Sequence, residues 1–587
     1  MAKEKGNIFD LKLFSKLMVF VKPYKKTYYL VMITAILLAS FSALTPYLLK
    51  ITVDDYIRLK DYNGMVFLIG LMLVALLSEV IFQFLFVYFA NWLGQVVISD
   101  LRVVLFQKII GFNMAYFDQS AVGRLVTRAV NDTETIASIF SQGLFMIIAD
   151  LLKMAVVIVI MLVIDWELSL IVFSILPVIL YATRLFQKSM KTAFEEVRLQ
   201  VANLNSFVHE RITGMQIVQL FHREKIELDH FVSINEKHKK AWLKTVWYNS
   251  IFFPIAEISS SITLGLLVWY GGLNVVTGGS ISMGTIFLFI QMSQMLFRPL
   301  RHIADKFNTL QMGMVAAERI FKIINTDSEI ADDGKWNPQK IDGKITIKDL
   351  RFSYVYDEEV IHGIDLEIQP GEKIAIVGAT GAGKSTLINL LSRFYEFDKG
   401  EICLDDHSIK NFRLQSLRKH VGIVLQDVFL FADTIFNNIT LHNPNVTRAM
   451  VYEAAKQIGV HDFIESLPGG YEYNVKERGA MLSSGQRQLI AFLRVYIANP
   501  SVLVLDEATS SIDSHSEELI KNATHKITSN KTSILIAHRL STIKNADRIV
   551  VMDSGHIVEV GSHKELINIK NGYYSQLYKI QFLEVAV

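Results

Sequence analysis

The stretch KIAIVGATGAGKSTL, residues 373–387, decides how the rest of the chain is read. Lys373–Val377 has the continuous apolar character of a short buried strand, and Thr386–Ser392 reads as the helix that follows it. Between them Gly378, Gly383, Lys384 and Ser385 satisfy the pattern G-x-x-x-x-G-K-[ST], with the small residues Ala379, Thr380, Gly381 and Ala382 filling the gap. In that pattern consecutive backbone N–H groups curl round a polyphosphate, the lysine reaches its outer oxygens and the hydroxyl serves Mg²⁺. The dipole at the start of the helix, at Thr386, favours the same anion. The expectation is an α/β domain built around a phosphate site.

A second stretch, SVLVLDEATSSID at 501–513, supports it. It reads as a buried strand ending in Asp506 and Glu507, which puts both carboxylates at the carboxyl end of a parallel sheet, where such sheets bind ligands. There the aspartate can help hold Mg²⁺ and the glutamate can orient or deprotonate a water. Upstream, 325–344 is polar, acidic and rich in turn residues, a linker by composition, and from 345 to 587 short strands alternate with helices.

The first 324 residues are of another kind. The whole chain of 587 residues is 51% hydrophobic and only 20% charged, and the apolar excess lies before the linker. Six runs can each cross a bilayer, roughly 27–50, 64–94, 139–164, 166–187, 246–275 and 281–303. Lys3, Lys5, Lys12, Lys16, Lys22, Lys25 and Lys26 precede the first run, whereas the connections at 165–167 and 276–280 carry no lysine or arginine. The positive-inside rule therefore puts both termini, and the α/β domain, in the cytosol. The helically spaced Ile8, Leu11, Phe14, Leu17, Met18 and Val21 fit either a helix lying on the inner membrane surface or a solvated leader. Residues 95–138 and 188–245 are too long for loops and read as helical hairpins, with Gly123 and Gly214 near their middles. A leg of 22 residues would reach roughly 30 Å into the cytosol. The net charge of +2 gives no basis for nucleic-acid binding, and the single cysteine, Cys403, excludes an intrachain disulfide.

Two further stretches, LSSGQRQLIAF at 482–492 and LIAHRLSTI at 535–543, complete a set. With them the chain resembles, along essentially its whole length, a half-transporter of the ABC exporter family: a six-helix membrane domain fused to one ATP-hydrolysing nucleotide domain. The resemblance implies ATP and Mg²⁺ as ligands. It assigns Tyr354 to stacking on adenine, Lys384 and Ser385 to the phosphates and Mg²⁺, and Gln426 to sensing Mg²⁺ and the attacking water. Glu507 matches the catalytic glutamate and His538 the histidine on the γ-phosphate. Ser483, Ser484, Gly485 and Gln486 fall in the signature loop, which in the family contacts ATP on the opposite subunit, and Asp513 matches an aspartate of the same interface. YFDQSAVGRLVTRAVND, 116–132, and TGMQIVQLFHREK, 213–225, resemble the two coupling segments, and Glu477 and Arg478 lie in a segment that meets the membrane domain.

Two departures stand out. Ser484 occupies the place of the first glycine of L-S-G-G-Q, where a β-carbon could crowd the approach to phosphate, and Lys476 stands where a small residue is usual. The first keeps a heterodimer with a homologous half-transporter open beside the favoured homodimer. Because one chain holds one signature and one phosphate loop, turnover requires two copies.

For the cargo, polar residues within the spans are the informative ones: Glu79, Asp150, Lys153, Glu257, Gln291, Gln294 and Arg298. They either pair internally, Asp150 with Lys153 and Glu79 or Glu257 with Arg298, or line a cavity. Met292, Met295 and Phe297 either line an adaptable apolar site or pack in the core. The expectation is export or flipping of an amphiphile, drug-like or lipid, across the cytoplasmic membrane. A peptide or metabolite exporter is the alternative, and an ATP-gated regulator is the weakest reading.

Overall fold

The computed structural model describes residues 11–355, 357–507, 514–537 and 543–579. They form two compact units, Met1–Ile110 with Val122–Thr326, and Gly111–Ala121 with Asp327–Val587.

The first unit is helical throughout. Its principal helices are Lys25–Ile51, Tyr62–Ile110, Phe145–Ile164, Trp166–Thr213, Glu224–Val276 and Met283–Ile324. Among the described residues five helical stretches are long and apolar enough to cross a membrane. The run at 281–303 falls in the Met283–Ile324 helix. Large apolar side chains such as Leu77, Phe84 and Val163 point away from the protein, as lipid contact requires. Asp165 ends one helix and starts the next. Its extended backbone (φ −155°, ψ 112°) breaks the turn, and its carboxylate accepts from the Leu168 N–H at 2.9 Å.

The helices Trp166–Thr213 and Glu224–Val276 have 48 and 53 residues. At 1.5 Å per residue they run for about 70–80 Å, more than twice the hydrocarbon thickness of about 30 Å. They form an antiparallel pair with Gly214 as the C-cap of the first. Phe186 stacks on Phe252 with centroids 4.1 Å apart, and Lys244 reaches Glu196 at 2.7 Å. The first hairpin turns through 111–121, and Gly123 sits inside the helix Val122–Thr127 rather than at the bend. The leader forms the helix Leu11–Val21. Leu17 and Val21 are buried, and Phe20 meets Phe321 of the last membrane helix. It is a packed helix, not a solvated leader, because part of its apolar stripe is buried against neighbouring helices.

The second unit holds two sheets. One is antiparallel, in the order β2 (Glu358–Ile368), β1 (Ile345–Val355), β4 (Lys399–Leu404), β5 (His407–Ser408). The other runs β10 (His556–Gly561), β9 (Arg548–Asp553), β3 (Lys373–Val377), β8 (Thr532–Ala537), β7 (Val502–Glu507), β6 (Val421–Val424). From β9 to β6 all neighbours are parallel, which explains the continuous apolar runs IAIV and VLVL: both faces of a parallel sheet are covered. One core joins the antiparallel sheet to the helix Lys384–Leu391, and a second packs the helix Ser484–Ala498 against its neighbours.

The acidic stretch before β1 is bound down. Trp336 stacks on His407 at 3.8 Å and exchanges backbone hydrogen bonds with Asn411 and Arg413. The Asp405 carboxylate accepts from the backbone N–H groups of Asp342, Gly343 and Lys344. Residues 111–121 belong to the same unit: the Asn113 N–H donates to the Ser328 carbonyl at 2.8 Å, and Phe112 bridges to Glu329.

Candidate active site

Strand β3 delivers the loop 378–383 to the N-terminus of the helix Lys384–Leu391, which begins two residues earlier than the sequence reading placed it. Two glycines make that delivery possible. A β-carbon on Gly378 would lie 2.2 Å from the Met552 carbonyl oxygen of β9, so the loop can pass under that strand only without a side chain. Gly383, the helix N-cap, has φ +97° with Ile361 packed against it.

Lys384 is buried and its ammonium donates to the carbonyls of Gly378 at 2.8 Å and Ala379 at 2.9 Å. Burial lowers its pKa from the usual lysine range, and the carboxylate of Asp506 partly offsets this. The Ala382 carbonyl accepts from the Gly555 N–H at 3.3 Å. Ser385, Thr380 and Gly381 are exposed at the mouth of the loop. Thr386 is buried and accepts from the Tyr354 hydroxyl at 3.2 Å. Tyr354 is 40% exposed, its ring edge-on to Phe352 and to Tyr395, so a planar base can reach it. Substituting Tyr354 with Ala removes one stacking surface, worth roughly 1–3 kcal/mol. The expected result is a rise of about tenfold in the ATP concentration for half-maximal hydrolysis with little change in the maximal rate; an unchanged half-saturation value overturns the assignment.

Asp506, Glu507 and Gln426 lie at or just past the carboxyl ends of strands in the same sheet. Asp506 is buried near the end of β7, and β7 pairs in register with β8 up to Glu507 and Ala537. Gln426 is exposed two residues past β6. With about 4.8 Å between strands, the carboxyl ends of β7 and β6 stand about 10 and 14 Å from that of β3. Hard oxygen donors at two strand ends, Asp506 and Gln426, together with the Ser385 hydroxyl in the first turn after the loop, fit Mg²⁺, which takes only one or two protein oxygens beside those of a phosphate. Among the described residues no group of three or more acidic, histidine or cysteine side chains is placed to hold a metal ion. His538 and Asp513 lie outside the described residues.

The signature residues sit elsewhere. Ser483 caps the helix Ser484–Ala498 in a closed capping box: its hydroxyl accepts from the Gln486 N–H, while the Gln486 side chain accepts from the Ser483 N–H. Gly485 is buried, and Ser484 is exposed as the first helical residue. Ser484 needs no left-handed backbone, so its β-carbon imposes no strain there. Among the described residues no hydrogen bond joins these side chains to the phosphate loop of the same chain.

Lys476 is different. Its backbone, φ +60° and ψ −174°, lies in a region that essentially only glycine adopts freely. Lys476→Gly is expected to stabilise the protein by about 1 kcal/mol, read as a rise of a few degrees in the unfolding midpoint of the purified protein.

One connection had no signal in the sequence. The Tyr395 hydroxyl donates to Asp118 in the segment 111–121, and the Tyr395 ring meets that of Tyr354 at 5.0 Å. Tyr395 follows the helix that carries Lys384, and its partners are 41 and 277 residues away in the chain. Tyr354 and Asp118 thus share one intermediary.

Within the membrane helices the polar residues separate by face. Gln291, Gln294 and Arg298 are exposed along one side of the Met283–Ile324 helix. Met292 and Phe297 are fully buried in the helical core, and Met295 packs against it, so these three pack in the core and line no open site. Of the readings left open for Asp150, pairing with Lys153 is not the one found: Asp150 pairs with Lys306, because the last helix supplies a cation that faces it. Lys153 lies in the field of Glu79, Asp150 and Arg298. Glu257 is exposed.

A multi-pass helical unit joined to a P-loop nucleotide unit defines a membrane protein that couples a nucleoside triphosphate to its helices. Comparison with known proteins makes this specific. Residues 28–300 match the family described as ABC transporter transmembrane region, and residues 361–510 the family described as ABC transporter. A protein of Bacillus subtilis (strain 168), by name a multidrug export ATP-binding/permease protein, is 35% identical over 96% of this chain and 99% of its own. The ATP-dependent lipid A-core flippase of Syntrophus aciditrophicus (strain SB) is 32% identical over 98% of this chain and 96% of its own. The solved structure of a bacterial Atm1-family ABC exporter with ATP bound superimposes with a TM-score of 0.77 at 27% identity, covering 95% of this chain and 98% of that one. The chain belongs to the ABC transporter family, as an exporter half-transporter that carries its membrane domain and its ATP-hydrolysing domain on one polypeptide.

Proposed function

We propose that two copies of this chain form a pump of the cytoplasmic membrane that uses ATP and Mg²⁺ to export or flip an amphiphile, drug-like or lipid. The observation that carries the cargo class is the unpacked polar face of Gln291, Gln294 and Arg298 on a membrane helix whose other side is core. Hydrocarbon does not accept such a face, so it belongs on a water-filled cavity. Asp150, Lys153, Glu79 and Lys306 add charges of both signs nearby. A cavity of mixed charge with apolar surroundings suits a molecule that is itself polar at one end and apolar at the other. The names of the two relatives, one a lipid flippase and one a multidrug exporter, point the same way.

In this reading the base of ATP lies on Tyr354 and its phosphates on residues 378–386. Lys384 exchanges its two loop carbonyls for phosphate oxygens, a stronger charge-assisted pairing. Ser385, Gln426 and Asp506 would hold Mg²⁺, in part through water, and the ion would offset charge on the phosphates. Glu507 takes the proton of the attacking water and His538 meets the γ-phosphate. Ser483, Ser484, Gly485, Gln486 and Asp513 would face ATP on the second copy, as the resemblance of the signature loop implies. Closing both sites therefore draws two nucleotide domains together, and hydrolysis releases them. ATP shifts the population between inward- and outward-open states by binding the closed pair better. Tyr395 and Asp118 transmit occupancy of the site to the first coupling segment. The phosphate loop at 378–385 and the matches at Glu507 and His538 are intact, which favours two equivalent sites and hence a homodimer.

The test is uptake into inverted vesicles containing only this chain. ATP-dependent accumulation of a lipophilic dye or a fluorescent lipid is expected, with ATPase activity rising severalfold in its presence. Vesicles that ignore every amphiphile but respond to a peptide or soluble metabolite would overturn the cargo class, and no hydrolysis without a second, different chain would overturn the homodimer.

A further inference from the structure

At the end of the long helix pair opposite its Gly214 turn lies a pocket of about 450 Å³. Trp166, Glu167 and Leu170 from the first turns of one helix face Leu266, Trp269 and Tyr270 from the last turns of the other. The Tyr270 hydroxyl donates to Oε2 of Glu167 at 2.6 Å and fixes the carboxylate in the pocket wall. That bond is to a neutral group, so the charge is not cancelled, and no lysine or arginine is paired with Glu167 among the described residues. The connections at 165–167 and 276–280 contain no basic residue, while Asp165, occupied in capping Leu168, adds a second negative charge. Trp166 and Trp269 remain 62% and 65% exposed, with their π surface available beside the carboxylate.

Aromatic walls around an uncompensated carboxylate select cations, above all organic ammonium groups, which are weakly hydrated and gain from the ring quadrupoles. Anions meet two like charges. The volume is at the lower end of small-molecule pockets and accepts a head group but not an acyl chain. Leu170, Leu266 and the apolar faces below them continue from the pocket into the membrane span. An aromatic belt at the interface requires only that rings sit at head-group depth; it does not require that they converge with a carboxylate on one cavity. We propose that this pocket binds the ammonium head of an amphiphile, quaternary or primary, whose chain lies along Leu170 and Leu266 within the bilayer. The proposal goes beyond the export reading and needs only that the helices span a membrane.

The test uses the full chain in nanodiscs of phosphatidylglycerol, without nucleotide, titrated with labelled dodecyltrimethylammonium. Saturable binding is expected that dodecyl sulfate does not displace. Glu167→Gln and Trp269→Leu should each weaken it at least tenfold, while Trp269→Phe stays within threefold of wild type; Trp166→Leu replaces Trp269→Leu should that variant not fold. Displacement of the probe by phosphatidylethanolamine added to the disc identifies a lipid head group as the occupant. Retention, together with ATP-dependent uptake of the probe into vesicles, identifies exported cargo, and both results uphold an ammonium site. Equal binding of dodecyl sulfate, or wild-type affinity in both the carboxylate and the tryptophan variants, overturns it. Because the titration contains no ATP, a chain that failed to pump would refute the export reading and leave this readout intact.

Discussion

Glu507→Gln should bind ATP as tightly as the wild-type chain yet release phosphate at least a hundredfold more slowly in the steady state. The substitution keeps size and hydrogen-bonding shape but removes the only function asked of the carboxylate, accepting a proton from water, and such general-base contributions run to about 10²–10⁴. The backbone supports the position: Glu507 is the last residue of β7, paired beside Ala537 on β8, at the carboxyl edge that also carries the phosphate loop. Binding should survive because the loop 378–386 and Tyr354 are untouched. A purified variant that hydrolyses ATP within threefold of wild type would remove Glu507 from the mechanism. If instead ATP binding were lost along with turnover, the residue would be holding the sheet edge together and not acting on water.

The second large effect concerns Lys384. Lys384→Met is expected to weaken ATP binding by about 10²–10³-fold, because the lysine is a buried cation at the loop and pairs of this kind contribute about 2–5 kcal/mol when one partner is removed. Equilibrium binding of a fluorescent ATP analogue checks it. The substitution also leaves the carbonyls of Gly378 and Ala379 without their donor, at about 1–3 kcal/mol if water cannot replace it. A small drop in unfolding midpoint should therefore accompany the loss of affinity. Lys384→Arg distinguishes charge from shape: a guanidinium does not fit where the ammonium now donates to two adjacent carbonyls, so affinity should stay low although the charge is kept. Near-normal binding in Lys384→Met would mean that the backbone cradle alone holds the phosphates.

What could be read along the chain follows from which interactions are local. The strand, loop and helix at 373–391 are encoded within a few residues: an apolar run, glycines where a neighbour comes too close, and a lysine that folds back onto the loop. Ser483 and Gln486 are three apart, so their capping box is equally local. The break at 165–167 was legible from the end of one apolar run and the start of the next, and the turn at Gly214 from a glycine near the middle of 188–245, whereas the cap that Asp165 makes on Leu168 is seen only in the structure. By contrast Asp150 and Lys306 are 156 residues apart, and a single helix offers Asp150 only Lys153 as a partner. Met292 and Phe297 read equally well as core or as lining, since composition does not say which side of a helix faces its neighbours. Tyr395 had no motif at all; its meaning comes from touching Tyr354 on one side and Asp118 on the other. The departures from the family pattern needed backbone angles to interpret. Ser484 turned out to be an ordinary first residue of a helix, while Lys476 occupies a conformation that suits glycine.

The linear order of residues by itself determined the kind of protein: apolar runs of membrane length, a phosphate-gripping loop and an acidic strand end are each properties of consecutive residues, whose burial and backbone chemistry do not depend on distant partners. Only the tertiary structure decided which charges meet within the membrane helices, which face of the last helix is open, and that Tyr395 touches both Tyr354 and Asp118. It also decided that Glu167 shares a pocket with Trp269, about a hundred residues later in the chain. Those are long-range contacts, and their partners are chosen by how helices and strands pack, which no short stretch of chain contains.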